Sequence, residues 1–190
     1  MTTAIYEFHS ISSTTPPSPA LTSLLSSIAS LQTVLFPHLL SSPPSPSSLL
    51  PPSSSIHVAL FTSSSSSSSP PTLAAFSLAH HRAGQTRITS LGTAPSHRRK
   101  GLARSLLLLS LSLGLVEKRC GEATLVVDCS ERGAEAARLY EAVGFKRDGP
   151  VVDGYYSDGA SALRMTLPAV TRLAVKGAPK LSTWPAETIK

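Results

Sequence analysis

The apolar residues of the chain recur at two spacings, and one of these predicts its helices. Over residues 20–35 they fall three or four positions apart, as in an amphipathic helix. Ser18 suits the N-cap of this helix and Pro19 its first position. A second helix is predicted over 102–116, which is apolar nearly all round and therefore suits burial on most sides. A third is predicted over 134–143, where one face is apolar.

Shorter apolar runs bounded by turn-forming residues predict strands. The predicted strands cover residues 4–9, 56–62, 73–80, 86–91, 123–128, 145–151 and 161–167. Ile5, Tyr6 and Phe8 are candidate core residues of the first strand. The predicted order is strand, helix, three strands, helix, strand, helix and two strands, which indicates one mixed sheet with helices on its faces. The chain is therefore predicted to have an α/β fold.

Two inserts rich in Ser and Pro interrupt this pattern, of which residues 41–55 are interpreted as a loop and residues 63–71 as a flexible, solvated segment. Residues 1–168 are expected to form one domain, because a chain of 190 residues suits one domain with a modest tail. Residues 169–190 are interpreted as a basic C-terminal tail.

Charge is unevenly placed in this basic chain, whose formal net charge is +6 and whose pI is about 9.7. Up to His81 the only charged residue is Glu7, and a group of basic residues then follows between Arg82 and Arg104. Such a group favours phosphate-bearing ligands. General nucleic-acid binding is disfavoured, because only 5% of the residues are aromatic and bases stack on exposed aromatic rings.

The composition also bears on the compartment. Cys120 and Cys129 are too few for a disulfide framework and are expected to be free thiols in a reducing compartment. Residues 1–10 lack the pattern of a signal peptide, and the apolar stretch at 102–116 is shorter than the roughly 20 residues that span a bilayer. We therefore expect a cytoplasmic protein, with the nucleus as an alternative, and no membrane partner.

The segment that carries chemistry is SHRRKGLA, residues 96–103, between a predicted strand and a predicted apolar helix. A helix start presents unpaired backbone N–H groups at the positive end of the helix dipole, which suits an anion. Gly101 removes a side chain where the backbone must approach a phosphate, and four basic side chains add positive charge. These are Arg98, Arg99, Lys100 and Arg104. The alternative is a basic helix start with no ligand.

Two motifs resemble those of the GNAT superfamily of N-acetyltransferases. Arg98-x-x-Gly101-x-Ala103 is similar to its motif A, and ARLYEAVGF at 137–145 is similar to its motif B. RITSLGTAPSHRRKGLA and YYSDGASALRM, which start at Arg87 and Tyr155, resemble the catalytic subunits of protein N-terminal acetyltransferases, especially that of the N-terminal acetyltransferase A complex. The resemblance implies the GNAT fold, a mostly antiparallel sheet of about seven strands with helices on both faces.

The same resemblance implies acetyl-CoA as the acyl donor, no metal, and direct transfer of the acetyl group to an amine. Backbone groups of Leu91, Gly92 and Thr93 would bind the pantetheine arm. The implied pyrophosphate ligands are Arg98, Arg99, Lys100, Gly101, Leu102, Ala103 and Arg104. Tyr140 matches the motif B tyrosine that acts as general acid beside the thioester sulfur, and its alternative role is that of an ordinary core aromatic.

The acceptor side rests on fewer residues. The candidate substrate contacts are Tyr155, Tyr156 and Asp128. The two tyrosines match a pair that holds the peptide backbone in the resembling group. That group carries its general base, a glutamate, after a Leu-Pro pair near the end of the first helix, where this chain has His38. His80 and His81 are further candidates for the base, although such a pair at a strand end is more often exposed.

The residues and the resemblance together predict an N-acetyltransferase that acts on the α-amino group of protein N-termini, with an auxiliary subunit and the ribosome as candidate partners. Two alternatives stay open. One is a GNAT enzyme that acts on a small amine or on lysine side chains, and the other is a pseudoenzyme that binds CoA without turnover.

Overall fold

The computed structural model describes residues 4–37, 44–63, 70–168 and 178–182. Its strands are β1 (Ala4–Ser12), β2 (Ser54–Ser63), β3 (Thr72–Arg82), β4 (Gln85–Thr93), β5 (Glu122–Asp128), β6 (Lys146–Arg147) and β7 (Ala162–Pro168). Its α-helices are α1 (Pro19–Leu35), α2 (Leu102–Leu111) and α3 (Glu131–Val143). Short 3-10 turns lie at Pro46–Leu49 and Pro95–His97. The order of strands and helices is the predicted one.

The seven strands form one sheet in the order β1-β2-β3-β4-β5-β7-β6. Only β4 and β5 pair in parallel, which confirms the predicted mixed and mostly antiparallel sheet. Their pairing is short and ends at Arg87 opposite Thr124. Beyond these two residues the strands separate toward their C-terminal ends, which leaves a gap in the middle of the sheet.

Helices cover both faces of the sheet, as predicted. On one face, Leu24 and Ile28 of α1 share a buried cluster with Ile56 of β2. On the other face, α2 and α3 share a cluster that contains Leu107 and Val143. The gap between β4 and β5 therefore has α1 on one side of the sheet and the start of α2 on the other.

Helix α1 begins as its sequence predicts. The Ser18 hydroxyl accepts a hydrogen bond from the backbone N–H of Leu21 at 3.1 Å, and Pro19 occupies the first turn, where its missing N–H costs nothing. The buried stripe of the helix is apolar until it reaches Gln32, whose side chain is also buried. A buried polar side chain on such a stripe needs hydrogen-bond partners. The functional site, described below, supplies a partner for only one of the two polar atoms of the Gln32 amide.

Two expectations about the strands were wrong. The strand predicted over 145–151 is reduced to Lys146–Arg147, because Gly149 adopts a positive φ of 88° and Pro150 has no N–H to donate to the sheet. In β1, Ile5 is exposed, while Tyr6 and Phe8 pack at the margin of a buried cluster. The first strand thus buries other residues than the ones that the sequence favoured.

The helix predicted over 102–116 changes its geometry part-way. Regular α-helix ends at Leu111, and a π-helical turn follows over Ser112–Glu117. Gly114 in this turn lies directly against β4, where a Cβ atom would collide with the side chain of Thr86. The wider turn and the missing side chain together let the end of the helix approach the sheet closely.

The remaining sequence expectations concern the inserts, the cysteines and the membrane. The first insert is not all loop, because Ser54 and Ser55 belong to β2 and Leu49 of its 3-10 turn is buried. Ser63 of the second insert also belongs to β2, while residues 41–43, 64–69 and most of the tail lie outside the described residues. Cys120 is buried, Cys129 is exposed, and both are free thiols as expected. Within the described part of the chain, no helix is long and apolar enough to cross a membrane.

Candidate functional site

A cavity of about 1560 Å³ opens where β4 and β5 separate. Its walls come from both strands, from the segment that leads into α2, from α3 and from the C-terminal end of α1. On the α2 side the wall is basic, and on the α1 side it includes Leu35 and Phe36. The cavity therefore passes through the sheet and joins a cationic mouth to a second mouth of different character.

The edge of β4 presents unpaired backbone groups to this cavity. The N–H of Ala94 donates to the carbonyl of Ala74 in the β3 direction, at 2.9 Å. Because hydrogen-bonding direction alternates along a strand, Leu91 and Thr93 direct their backbone groups toward the gap, while Gly92 bonds to β3. Leu91 and Thr93 can therefore bind an extended ligand as a further strand would.

Gly92 has a different role from the one predicted for its backbone. A Cβ atom at Gly92 would lie only 2.7 Å from Leu35 Cδ1 and from Phe76 Cε1. The missing side chain thus lets the end of α1 lie directly on β4 at the cavity wall. The buried hydroxyl Oγ1 of Thr93, beside it, has no hydrogen-bond partner among the described residues.

The segment from Arg98 to Gly101 is folded to receive an anion. Arg99 and Gly101 have positive φ angles of 62° and 77°, and Gly101 is the N-cap of α2. The following backbone N–H groups, in the first turn of α2, have no acceptor within the helix. They point out of the positive end of the helix dipole, which is the arrangement that an anion site at a helix start requires.

Some basic side chains of this segment bind other residues of the protein, and the others are left for a ligand. Nine of the ten predicted cofactor ligands line the cavity, and the exception is Lys100. Its Nζ atom instead donates a hydrogen bond of 2.9 Å to the hydroxyl of Tyr6, on β1. Arg99 lines the cavity but also forms an exposed ion pair with Glu135 of α3, at 3.1 Å. Arg98 and Arg104 are the cavity-lining cations of this segment that are left for a ligand.

Tyr140 lies in the cavity wall between the two mouths. It is 8% exposed and packs edge-to-face on Phe145, with 6.0 Å between the ring centroids. Burial, and secondarily the nearby Tyr156, raise the pKa of the Tyr140 hydroxyl to about 12. Tyr140 therefore carries its proton at neutral pH and can donate it, as a general acid must.

The second mouth is formed by the residues predicted to contact the substrate. Asp128, Tyr155 and Tyr156 all line the cavity there. The two tyrosine rings pack edge-to-face with 5.0 Å between their centroids. Asp128 ends β5, and its Oδ1 accepts a hydrogen bond from the N–H of Ser130 at 2.7 Å. Burial, and secondarily the charge of Asp128, raise the pKa of the Tyr156 hydroxyl to about 12.

Comparison with known proteins agrees with this geometry. The family model described as FR47-like protein matches residues 70–151, which include both walls of the gap and the whole anion-binding segment. The crystal structure of the ribosomal-protein-S18-alanine N-acetyltransferase from Escherichia coli superimposes with a TM-score of 0.62 at 22% identity, over 87% of this chain and 94% of that one. Over residues 70–151 the chain is thus similar to the FR47-like family, and its fold is that of the GNAT N-acetyltransferases.

Other GNAT structures share the fold but differ in substrate. The NatC complex bound to Gag peptide and CoA matches with a TM-score of 0.62 at 20% identity, over 85% of this chain and 98% of that one. Spermidine N-acetyltransferase from Vibrio cholerae in complex with CoA and spermine matches with a TM-score of 0.65 at 16% identity, over 88% and 98%. No curated protein sequence matches the chain significantly.

The candidates for a general base in this chain fall in three different places. His38 lies outside the described residues. His81 is buried, contrary to expectation, and its ring nitrogens contact the hydroxyls of Ser55 and Thr86 at 2.9 and 3.2 Å. His80 lines the cavity, and burial, followed by the charges of nearby arginines, lowers its pKa. Of the two described candidates, His80 is therefore the one that lines the cavity.

Gln32 and Ser90 also line the cavity, and the sequence interpretation had missed both. The amide Nε2 of Gln32 donates a hydrogen bond of 3.0 Å to Oγ of Ser90. The sequence feature that could have identified Gln32 is its position, four residues after Ile28 on the apolar stripe of the predicted first helix. A lone amide on such a stripe indicates either a buried hydrogen bond or a ligand.

Proposed function

We propose that this chain transfers the acetyl group of acetyl-CoA to the α-amino group of protein N-termini. The observation that carries the proposal is the continuous cavity, which joins the anion-binding start of α2 to the mouth at Tyr155 and Tyr156, with Tyr140 in the wall between them. A donor with a pyrophosphate and an acceptor amine can thus enter one cavity at different places and meet in the gap.

The residues present fit acetyl-CoA. The first-turn N–H groups of α2, with Arg98 and Arg104, suit a pyrophosphate. The backbone edge at Leu91 and Thr93 suits the amide groups of a pantetheine arm, and the unpartnered Thr93 hydroxyl is available beside it. Acetyl-CoA would supply the activated acetyl group as a thioester.

The protein then has three tasks, which are to align the acceptor, to take a proton from its ammonium group and to return a proton to the departing thiolate. Tyr140 is suited to the last task because its hydroxyl stays protonated. His80 is suited to taking the proton, because its lowered pKa leaves the imidazole neutral at pH 7. His38, at the position of the family glutamate, is the second candidate for the base.

The acceptor mouth favours a single amine over a polyamine. Among the described residues that line the cavity, the carboxylates are Asp128 and Glu135, and Glu135 pairs with Arg99 at the cofactor end. Asp128 itself lies within 3.7 Å of Nε of Arg132, so these lining residues offer no cluster of carboxylates for spermidine, which carries several ammonium groups. The paired tyrosines, which the sequence resemblance links to peptide binding, support the same choice.

The proposal is tested by incubating the purified chain with acetyl-CoA and a set of peptides. Some have free N-termini that begin with Ser, Ala, Thr, Met or an acidic residue, and matched peptides have blocked N-termini and internal lysines. We expect mass spectrometry to find acetylation confined to free α-amines. Acetylation of lysines in the blocked peptides, or of spermidine in parallel, would assign another acceptor. CoA binding without transfer to any amine would indicate a pseudoenzyme.

The peptide assay and a cosedimentation experiment test the candidate partners. Turnover by the isolated chain would mean that no auxiliary subunit is needed. Cosedimentation of the chain with ribosomes, in the cytoplasmic fraction and at increasing salt, would test whether its substrate is the nascent chain.

A further inference from the structure

Gln32 leaves one polar atom without a partner at the wall of the cavity. Its side chain is 5% exposed, and its Nε2 is committed to Oγ of Ser90. Its Oε1 is buried and has no hydrogen-bond partner among the described residues. Native proteins leave few buried acceptors unsatisfied, so such an atom in a cavity wall indicates a donor that arrives with a ligand.

The position of Gln32 identifies which end of the cavity this donor occupies. Gln32 lies on α1, and α1 covers the face of the sheet opposite to the anion-binding start of α2. Its partner Ser90 lies on β4 next to an irregularity in strand pairing, within the part of β4 that no longer pairs with β5. Gln32 therefore lines the cavity on the face opposite to the anion-binding segment, away from the place expected for the pyrophosphate of the donor.

We propose that Gln32 is an acceptor-binding residue, whose Oε1 accepts a hydrogen bond from the N–H of the incoming amine. The hydrogen bond between Ser90 and Nε2 holds the amide so that Oε1 faces the cavity. The proposal rests on amine acetylation by this chain, and it applies to α-amines, lysine side chains and small amines alike. A neutral acceptor oxygen favours no particular charge on the amine, so it can hold the N–H before and after the proton is removed.

The test compares Gln32→Leu with Thr33→Val, a matched control on the exposed side of the same helix. We expect Gln32→Leu to raise the KM for the acceptor about three- to tenfold, which is the loss of one neutral hydrogen bond. The Kd for CoA should stay unchanged, and Thr33→Val should match the wild type in both constants. Thermal unfolding of Gln32→Leu should occur no earlier than that of the wild type, since an unsatisfied buried oxygen has been removed.

Three results would overturn the proposal. An equal change in the Kd for CoA would place Gln32 on the donor, and an unchanged KM for every acceptor would remove it from the site. A lower unfolding temperature with unchanged kinetics would make Gln32 a packing residue.

The acceptor in this test is whichever amine the wild type acetylates, so failure of the α-amine proposal is seen separately. If the wild type acetylates none, calorimetry of the same amines with the CoA-loaded protein decides the matter. Binding that Gln32→Leu weakens would support the proposal, and absent or unchanged binding would overturn it.

Discussion

Nη2 of Arg132 lies 2.7 Å from Oδ2 of Asp158, so an ion pair joins the first turn of α3 to the loop that carries Tyr155 and Tyr156. Nε of the same guanidinium lies 3.7 Å from Oδ2 of Asp128, at the end of β5. The hydrogen bond that Arg132 donates to Asp158 is the main cause that raises the pKa of Arg132. One arginine thus links the end of β5, the start of α3 and the acceptor mouth.

We predict that Asp158→Asn weakens acceptor binding through this link. The loop with the two tyrosines would keep its backbone but lose its charged tether, and an ion pair this exposed contributes only modestly. The KM for the acceptor should therefore rise about two- to fivefold, while the KM for acetyl-CoA stays constant. Steady-state kinetics with each substrate varied in turn measures both.

The matched control for Asp158→Asn is Arg147→Gln. This change breaks another exposed ion pair, in which Nε of Arg147 lies 3.7 Å from Oε1 of Glu141, and neither residue lines the cavity. It should leave both KM values unchanged. If Asp158→Asn also behaves like the wild type at low salt, where ion pairs are strongest, the tether does not position the loop.

A second prediction concerns Gly101 and uses Gly84 as its control. Both glycines have a positive φ, 77° and 73°, and a Cβ atom at either would meet nothing within 4 Å. Gly101→Ala and Gly84→Ala should therefore lose similar stability, about 1 kcal/mol each. Of these two glycines, Gly101 lines the cavity and Gly84 does not. We expect its variant alone to bind CoA about tenfold more weakly in calorimetry, because the backbone would be held away from the pyrophosphate. Equal CoA affinity in the two variants would contradict this role.

The local parts of the site could be predicted from the sequence. Ser18 and Pro19 are recognisable as a helix start because capping involves neighbours in the chain. Gly101 and the arginines around it likewise act within a few residues of one another. An anion site at a helix start requires only that a strand, a basic turn and a helix follow in that order.

Contacts between distant segments could not be predicted. Lys100 is part of the basic motif, but its ammonium group donates a hydrogen bond to Tyr6, which lies 94 positions away. Gln32 and Ser90 are 58 positions apart and meet only because α1 packs on β4. The separation of β4 and β5 was equally hidden, since it depends on how far strands from different parts of the chain stay in register.

A third prediction concerns acid stability. His57 lies in β2, is 1% exposed, and neither of its ring nitrogens has a hydrogen-bond partner among the described residues. Burial, and secondarily the nearby His81, lower the pKa of His57 to about 4. The unfolded chain takes up this proton near pH 6.5, while the folded protein resists it until about pH 4. The contribution of neutral His57 to the free energy of unfolding is therefore fully present above the pKa of the unfolded state. It is lost as the pH falls toward the pKa of the folded state.

For His57 this linkage amounts to about 2 kcal/mol between pH 7 and pH 5. We expect the free energy of unfolding, measured with urea at both pH values, to fall by about 2 kcal/mol less in His57→Leu than in the wild type. At pH 7 the variant should be at least as stable, because leucine needs no hydrogen bond. An undiminished pH dependence in the variant would assign the effect to His81 or to carboxylates instead.

The last prediction separates the hydroxyls of Tyr140 and Tyr156 by the step that each affects. Tyr140→Phe keeps the ring against Phe145 and removes only the hydroxyl, so its fold and CoA affinity should persist. Its kcat should fall about 100-fold, which is typical for the loss of a general acid. Because the pKa of Tyr140 is raised to about 12, the kcat of the wild type should show no loss from Tyr140 deprotonation up to about pH 10. Tyr156→Phe should instead raise the KM for the acceptor and change kcat little, since Tyr156 lies at the acceptor mouth. The release of free CoA thiol measures the kcat of both variants across this pH range. If Tyr140→Phe retained the kcat of the wild type, Tyr140 would not be the general acid.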